Sequence, residues 1–289
     1  MNNYRLIIDA YMELCKPRIV TLVLVTTSLG YYLGGGGFHN PYLFFITMIG
    51  TAMVCAGSAT LNHYLERDSD ALMKRTQRRP VPTGVISPDH AMLFGILLTL
   101  TGVLILCIEV NLLTSFLSIL TAFLYVIVYT PMKKISWLNT TIGAIPGAIP
   151  PIGGWTAASG EVGLGAWVLF LIMFVWQHPH FYSIAWIFRD DYKKAGFKML
   201  SFEDADGRRM FKHTLIYSLI LIPVSLLPTF IGMSGWTYFW GALLAGFAFL
   251  HVSRKFQLMG SNQVAHQLLR ASVLYLPAIL VLIVVDKWF

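Results

Sequence analysis

The sequence predicts an all-α fold: a polytopic membrane bundle of nine transmembrane helices with a central cavity opening to the cytoplasmic side. Three observations carry this expectation. Mean hydropathy is +0.65, and 56% of the 289 residues are hydrophobic. Only 12% are charged, against about 25% in an ordinary soluble domain, which excludes a single soluble globular domain. Crossing a bilayer takes ~20 consecutive, mostly apolar residues, and the chain offers nine such stretches.

The expected spans are 18–37, 41–62, 91–109, 112–130, 138–158, 164–188, 212–232, 236–253 and 271–288. Basic residues divide their connections into two classes. The N-terminal segment and the even-numbered connections hold 20 of the 21 Lys plus Arg, while the short connections around Gly35, Asn111, Gly160 and Gly235 hold none. Lys287 sits at the C-terminal end. Cytoplasmic loops carry the excess of Lys and Arg, so the N-terminus is expected in the cytoplasm and the C-terminus outside. An odd number of spans agrees with that. In a membrane protein the placement of basic residues outweighs the net charge of +7, so no nucleic-acid partner is expected. Cys15, Cys55 and Cys107 form no C-x-x-C pair and read as small apolar fillers.

Residues 1–17 are interrupted by Asp9 and Glu13 at helical spacing, unlike a cleavable signal peptide. Leu6, Ile7, Ala10, Tyr11 and Leu14 make the apolar side of a cytoplasmic amphipathic segment lying on the membrane surface. In span one, Gly30-x-x-x-Gly34 suits close helix packing, and Gly143-x-x-x-Gly147 in span five does the same. Span two ends in Asn62-His63-Tyr64-Leu65-Glu66-Arg67-Asp68-Ser69-Asp70. If the helix continues at about 100° per residue, Asn62, Glu66 and Asp70 fall on one stripe at the membrane boundary, and Asp68 projects elsewhere. Ionisable residues there are costly and functional by default. Mg²⁺ is held by one or two carboxylates plus substrate phosphates. Lys74, Arg75, Arg78 and Arg79 follow at once, placed to meet phosphate oxygens. The acid stripe and basic run together describe a metal–diphosphate site. A solvated loop whose cations only anchor topology is the alternative.

Span five carries Pro146, Pro150 and Pro151 among its glycines. Such backbone is tolerated at membrane depth only where protein or a cavity satisfies it, so a broken helix lining an internal cavity is expected. Span six closes with Trp176-Gln177-His178-Pro179-His180-Phe181, followed by Arg189-Asp190-Asp191-Tyr192-Lys193-Lys194. This second acidic cluster emerges on the same expected membrane face as the first, so a diphosphate bridged by Mg²⁺ can engage both. His39, His90, His213, His251 and His266 lie near span ends, and His63 is undecided. There is no Gly-Lys dipeptide and no G-x-G-x-x-G, H-E-x-x-H or G-x-S-x-G, so nucleotide-driven transport, dinucleotide redox and common hydrolase chemistry lose support.

Asn62-x-x-x-Glu66-x-Asp68-x-Asp70-x-x-Met73-x-Arg75-Thr76-x-x-Arg79-Pro80, with Gly84-x-Ile86-Ser87-Pro88, resembles the first signature of the protoheme IX farnesyltransferase (heme O synthase) family of the intramembrane aromatic, UbiA-type, prenyltransferases. Tyr129-Thr130, the Ile142–Gly153 stretch, Trp176-Gln177-x-Pro179-His180-Phe181 and Asp190-Asp191-Tyr192-x-x-Ala195-Gly196 are similar too. The resemblance covers essentially the whole chain, so 1–289 is expected to be one intramembrane domain. Glu66 stands where the superfamily has Asp, and Asp190 and Asp191 are closer together than its second pair of acids. Which of those two binds metal stays open.

The resemblance implies farnesyl transfer from farnesyl diphosphate to a vinyl group of heme b, with addition of water, giving heme O and diphosphate. It implies Mg²⁺ as cofactor, Asn62, Glu66, Asp70, Asp190 and Asp191 as catalytic residues, and Glu66, Asp70, Asp190 and Asp191 as metal ligands, with Asp68 a further candidate. Lys74, Arg75, Arg78, Arg79 and Lys194 would bind diphosphate. Tyr64, Tyr125, Tyr129, Trp176 and Phe181 are candidates to line the prenyl chain and face its allylic cation, or are ordinary core and belt aromatics. His180, and behind it His178, are candidate heme contacts, or simply tie span six to its neighbours. Partners would be farnesyl diphosphate, heme b and the lipid bilayer, with heme A synthase or a terminal oxidase assembly downstream. The absence of a transit peptide and the charge asymmetry favour a bacterial inner membrane. A prenyltransferase with another aromatic or chlorin acceptor, and a heme or lipid transporter, are the competing readings.

Overall fold

In the computed structural model, which describes residues 3–202 and 206–286, every described element is helical. The helices are α1 (Asn3–Leu14), α2 (Pro17–Gly35), α3 (Pro41–Leu72), α4 (Pro88–Glu109), α5 (Leu112–Phe123), α6 (Thr130–Met132), α7 (Asn139–Ala148), α8 (Pro150–Ser159), α9 (Leu164–Ile187), α10 (Arg189–Lys194), α11 (Arg208–Phe230), α12 (Trp236–Met259) and α13 (Asn262–Asp286). A π-helical turn, Leu124–Tyr129, joins α5 to α6. Helices occupy all nine expected spans among the described residues. Among the described residues six segments are long and apolar enough by themselves to cross a membrane: Pro41–Leu72, Pro88–Glu109, Leu112–Met132, Leu164–Ile187, Arg208–Phe230 and Asn262–Asp286. Leu93, Leu97, Leu100, Leu104 and Ile108 of α4 are exposed at helical spacing, an outward apolar stripe that suits lipid rather than water.

Local sequence explains where the helices start. The Asn40, Ser87 and Asn111 side chains accept from the backbone N–H of Leu43, His90 and Thr114, at 3.0, 3.3 and 2.8 Å, and Pro41 and Pro88 follow the first two caps. Proline suits a first helical position because its missing N–H would be unpaired there. Span five is broken as its prolines require: α7 ends at Ala148, and α8 begins at Pro150.

Several expectations need correction. The connection between spans eight and nine is not a basic loop, because α12 runs on to Met259 and α13 starts at Asn262. Arg254, Lys255 and Arg270 therefore lie on helices. In α1 the apolar side is split: Ala10 and Leu14 are buried in a cluster with Val81, Ile86 and Ala91, while Leu6 and Ile7 are exposed. Lys287, placed by sequence at the C-terminal end, lies outside the described residues.

The chain forms two compact units, both discontinuous in sequence. The first draws on 1–135, 149–163 and 190–197. Within it α3 packs along α4, and α2 along α8. A methyl group on Gly30 would come within 1.9 Å of the Pro151 carbonyl oxygen, and one on Gly154 equally close to that of Thr27. This is the close approach expected of Gly30-x-x-x-Gly34. The second unit draws on 136–148, 164–189 and 198 onward, with α9 against α7, α11 and α13, and α12 between α11 and α13. Two of its buried tyrosines share one serine: the hydroxyls of Tyr238 and Tyr275 donate to the carbonyl and side-chain oxygens of Ser225, at 2.6 and 2.8 Å. The Gly235 N–H donates to the Asp286 carboxylate, so α13 ends beside the α11–α12 turn.

Candidate active site

The continuous α3 carries Asn62, Glu66 and Asp70 on one buried stripe, as the spacing predicts. Each meets a cation. Lys16 Nζ donates to Asn62 Oδ1 at 2.7 Å, Lys133 Nζ lies 2.6 Å from Glu66 Oε1, and Arg79 Nη1 lies 2.6 Å from Asp70 Oδ2. The Thr76 hydroxyl donates to the Asp70 carbonyl at 2.9 Å, which turns the chain after α3 back toward the stripe. Asp70 Oδ1 is buried with no hydrogen-bond partner.

The π turn supplies the facing wall. π turns are rare and often mark functional sites. This one places Thr130, whose hydroxyl accepts from Asn62 Nδ2 at 3.1 Å and donates to the Tyr125 carbonyl at 2.9 Å. The Tyr125 and Tyr129 rings stack with centroids 5.6 Å apart, and Lys133 Nζ lies 4.6 Å from the Tyr129 centroid. Burial opposes the Lys133 charge, but Glu66 and the two tyrosines outweigh it and hold this ammonium above the usual lysine range. Lys16 lacks that support. Burial first, and then Arg79, pull it down to about 7.

Of the second acidic cluster, Asp191 comes to the segment after α3: its two carboxylate oxygens accept from the backbone N–H of Lys74 and Arg75, both at 3.4 Å. The Arg75 guanidinium lies 6.0 Å from the Tyr192 centroid. Asp190, Lys194, Lys74, Arg75 and Arg78 are exposed. Asp68 is exposed and 3.9 Å from Arg67, whose guanidinium sits 4.8 Å from the Tyr64 ring. Neither Asp68 nor Tyr64 has a contact with the buried stripe among these pairs. Among the described residues no three His, Cys, Asp or Glu side chains are grouped to hold a metal unaided. Mg²⁺ does not require such a cage, since substrate phosphates and water complete its shell. The donors fit it: all are hard carboxylate oxygens, and Asp70 Oδ1 is buried with its lone pairs unpartnered.

The second unit holds the remaining candidates. His178 is fully buried, and both ring nitrogens are engaged, with the Phe174 carbonyl at 2.8 Å and the Thr141 hydroxyl at 3.2 Å. Its ring stacks on Tyr217 at 3.8 Å. His180 is only partly buried, and its Nδ1 pairs with the Ser272 hydroxyl at 2.8 Å. Trp176 stacks on it at 4.9 Å and donates to the Ser272 carbonyl at 2.9 Å, while Phe181 meets it edge-on at 5.4 Å. The geometry of His178 is that of a packing residue, and His180 is the imidazole with an uncommitted edge.

Sequence reasoning missed Lys16 and Lys133, which it counted only as topology anchors, and left undecided His63, which is buried with both ring nitrogens unpartnered. One signal was available for Lys133: it stands four residues after Tyr129, hence on the same helix face if the helix continues.

The UbiA prenyltransferase family model matches residues 23–274. The chain is 43% identical to the protoheme IX farnesyltransferase of Solibacter usitatus, over 96% of this chain and 98% of that one. It is 41% identical to that of Aquifex aeolicus, over 97% and 96%. Among solved structures, a digeranylgeranylglyceryl phosphate synthase aligns with TM-score 0.82 at 15% identity, covering 97% of this chain and 98% of that one. A UbiA homolog from Archaeoglobus fulgidus bound to GPP and Mg²⁺ aligns with TM-score 0.63 at 16% identity, over 95% and 99%.

Proposed function

The chain belongs to the UbiA prenyltransferase family, among its protoheme IX farnesyltransferases, and we propose that it transfers farnesyl from farnesyl diphosphate to a vinyl group of heme b, with addition of water, to give heme O and diphosphate. The observation that carries the reading within this chain is the buried stripe of Asn62, Glu66 and Asp70, each residue against its own cation. A channel for neutral lipid has no use for so many charges at a membrane boundary.

Mg²⁺, bound by Glu66, Asp70, Asp190 and Asp191, would neutralise charge gathering on the departing diphosphate. Arg79, Lys74, Arg75, Arg78 and Lys194 bind the phosphate oxygens, the backbone at Lys74 and Arg75 being held by the Asp191 carboxylate. The Tyr125–Tyr129 pair offers its ring faces to the allylic carbon as positive charge develops there, and the apolar bundle keeps water from that carbon. Trp176 and Phe181 hold His180, which contacts heme. His178 supports it from within the helix packing, and Tyr64 borders the prenyl chain.

All nine helical segments cross the bilayer in this reading. The acidic stripe faces a cavity open to the cytoplasm, the N-terminus is cytoplasmic and the C-terminus outside, and 1–289 works as one domain in a bacterial inner membrane. The family match supports the single domain because it runs through both compact units. Heme A synthase or a terminal oxidase assembly would take up the product.

The test is incubation of the detergent-purified chain with heme b, farnesyl diphosphate and Mg²⁺, with and without chelator, and mass analysis of the extracted hemes. A chelator-sensitive product heavier by farnesyl plus water establishes the reaction. Diphosphate release only with a different aromatic or chlorin acceptor changes the acceptor. A folded, heme-binding chain that turns over nothing points to a transporter.

A further inference from the structure

We propose that the outward faces of α12 and α13 form a binding site for the phosphate headgroup of an anionic phospholipid, in the leaflet beside the α12–α13 turn; this rests on the reading above that both helices cross the bilayer. Its cations are Arg254 and Lys255 of α12 and Arg270 of α13, all exposed. His251 and His266 are exposed one helical turn away on the same two helices. The chain from Trp236 to Val285 contains no Asp or Glu. Among the described residues none of the three cations is in an ion pair.

Both helices turn these residues away from the protein. The buried positions are Gly246, Phe249, Ser253 and Phe256 on α12, and Leu268, Ser272 and Tyr275 on α13. At about 100° per residue, the three cations fall on the opposite sides of their helices. The same outward stripe of α12 carries Leu244 and Phe247 before the cations and Leu258 after them, 70%, 55% and 74% exposed. On α13, Leu274 is exposed one turn from Arg270. Apolar surface on both sides of a charged band belongs to a helix at a bilayer boundary, with its charges at headgroup level, rather than to one ending in water.

Depth along the helices is an independent observation. The far end of the hairpin is marked by Trp236, an exposed aromatic of the interfacial belt kind, and by Asp286, which accepts from the Gly235 N–H. Counted from there at 1.5 Å per residue, Arg254 lies about 27 Å along its helix and Arg270 about 24 Å along its own. The hydrocarbon layer is about 30 Å thick, and tilt only reduces these depths. Both positions therefore sit at the headgroup boundary or just inside it, facing lipid, where a charge without a partner is costly. Lipid phosphates within snorkelling reach remove that cost. About the turn at Gly260 and Ser261, His251 stands level with Arg270, and Lys255 with His266, because each pair is equally far from the turn. Packed helices lie about 8–10 Å apart, a gap that long basic side chains can close on one phosphate.

The experiment uses the full chain in detergent micelles, with phosphatidylglycerol as the probe and phosphatidylcholine as the zwitterionic control, and reads bound lipid by native mass spectrometry across a titration. The unaltered chain is compared with Arg254→Gln/Arg270→Gln and with Arg5→Gln/Arg208→Gln, which loses the same charge at exposed positions elsewhere. A saturable phosphatidylglycerol site is expected, weakened about tenfold or more in the Arg254, Arg270 variant. The Arg5, Arg208 variant keeps the affinity, and inorganic phosphate at the same concentration displaces no lipid. Equal binding of the two lipids overturns the proposal. So does an equal loss in both variants, which would mark diffuse surface charge, or full displacement by inorganic phosphate, which would mark a site for soluble anions. A denaturation midpoint lowered in lipid-free detergent by Arg254→Gln/Arg270→Gln, with lipid binding unchanged, would make the two arginines structural and overturn it too. An unaltered chain that leaves membranes in alkaline carbonate without detergent removes the bilayer reading itself, and the inference falls with it.

Discussion

Lys133 Nζ lies 2.6 Å from Glu66 Oε1, with side-chain exposures of 14% and 8%. The pair is therefore nearly dry, and removing one partner strands the other. Lys133→Met is expected to cost about 3–5 kcal/mol, read as a lowered denaturation midpoint in detergent. Adding Glu66→Gln to it should recover much of that stability and none of the turnover, since a carboxylate proposed to hold Mg²⁺ is then gone. A double variant as unstable as the single one would refute the pairing.

Asn62→Ala removes both the acceptor of Lys16 and the donor to Thr130. Heme O formation should fall by about 100-fold or more, with the helical circular dichroism signal unchanged. Asp190→Ala should lose turnover similarly. Near-normal product from both would dismantle the two-cluster site.

Arg78 is exposed. Arg78→Ala should raise KM for farnesyl diphosphate several-fold and leave kcat nearly intact, because it removes binding charge common to the ground and transition states. Steady-state kinetics against farnesyl diphosphate decide it.

Lys16 is pulled down to about 7 by burial and by Arg79, with Lys133 adding to that and Glu66 and Asp70 opposing it. A lowered value means that the empty site gives up this proton as pH rises through about 7. An anion bound beside Lys16 would restore the ammonium, and the site would then take up a proton on binding. Affinity for Mg²⁺–pyrophosphate should therefore decline above pH 7, by up to about tenfold per unit, and calorimetry in buffers of different ionisation enthalpy should register the proton. Lys16→Met should flatten that slope. An equal slope in the variant would assign the titration elsewhere.

The two histidines should separate. His178→Ala strips partners from the Phe174 carbonyl and the Thr141 hydroxyl, so it should lower stability by about 1–3 kcal/mol. His180→Ala should leave stability closer to normal and shift the absorption spectrum of added heme. The reverse pattern would exchange their roles.

What was legible in the sequence follows a physical division. Hydropathy is a property of each segment alone, so the six long apolar segments and the break before Pro150 could be read directly. The stripe of Asn62, Glu66 and Asp70 was also visible, because a straight helix turns spacing into direction. Lys16 and Lys133 were not, since each meets α3 across 46 and 67 positions of chain, respectively. Asp191 similarly finds two backbone amides more than 100 positions away. Spacing can suggest metal ligation by Asp191, but it cannot reveal those amides. The extent of α12 and α13 was misjudged for a simpler reason: charged residues end a hydropathy run without ending a helix.

The reciprocal contact of Gly30 with Pro151 and of Gly154 with Thr27 leaves no room for even the smallest side chain on either partner. In a library randomised at these two codons and selected for function, the survivors should be glycine alone, and a change at one position should find no compensating change at the other. Two helices joined backbone to backbone have nothing left to trim.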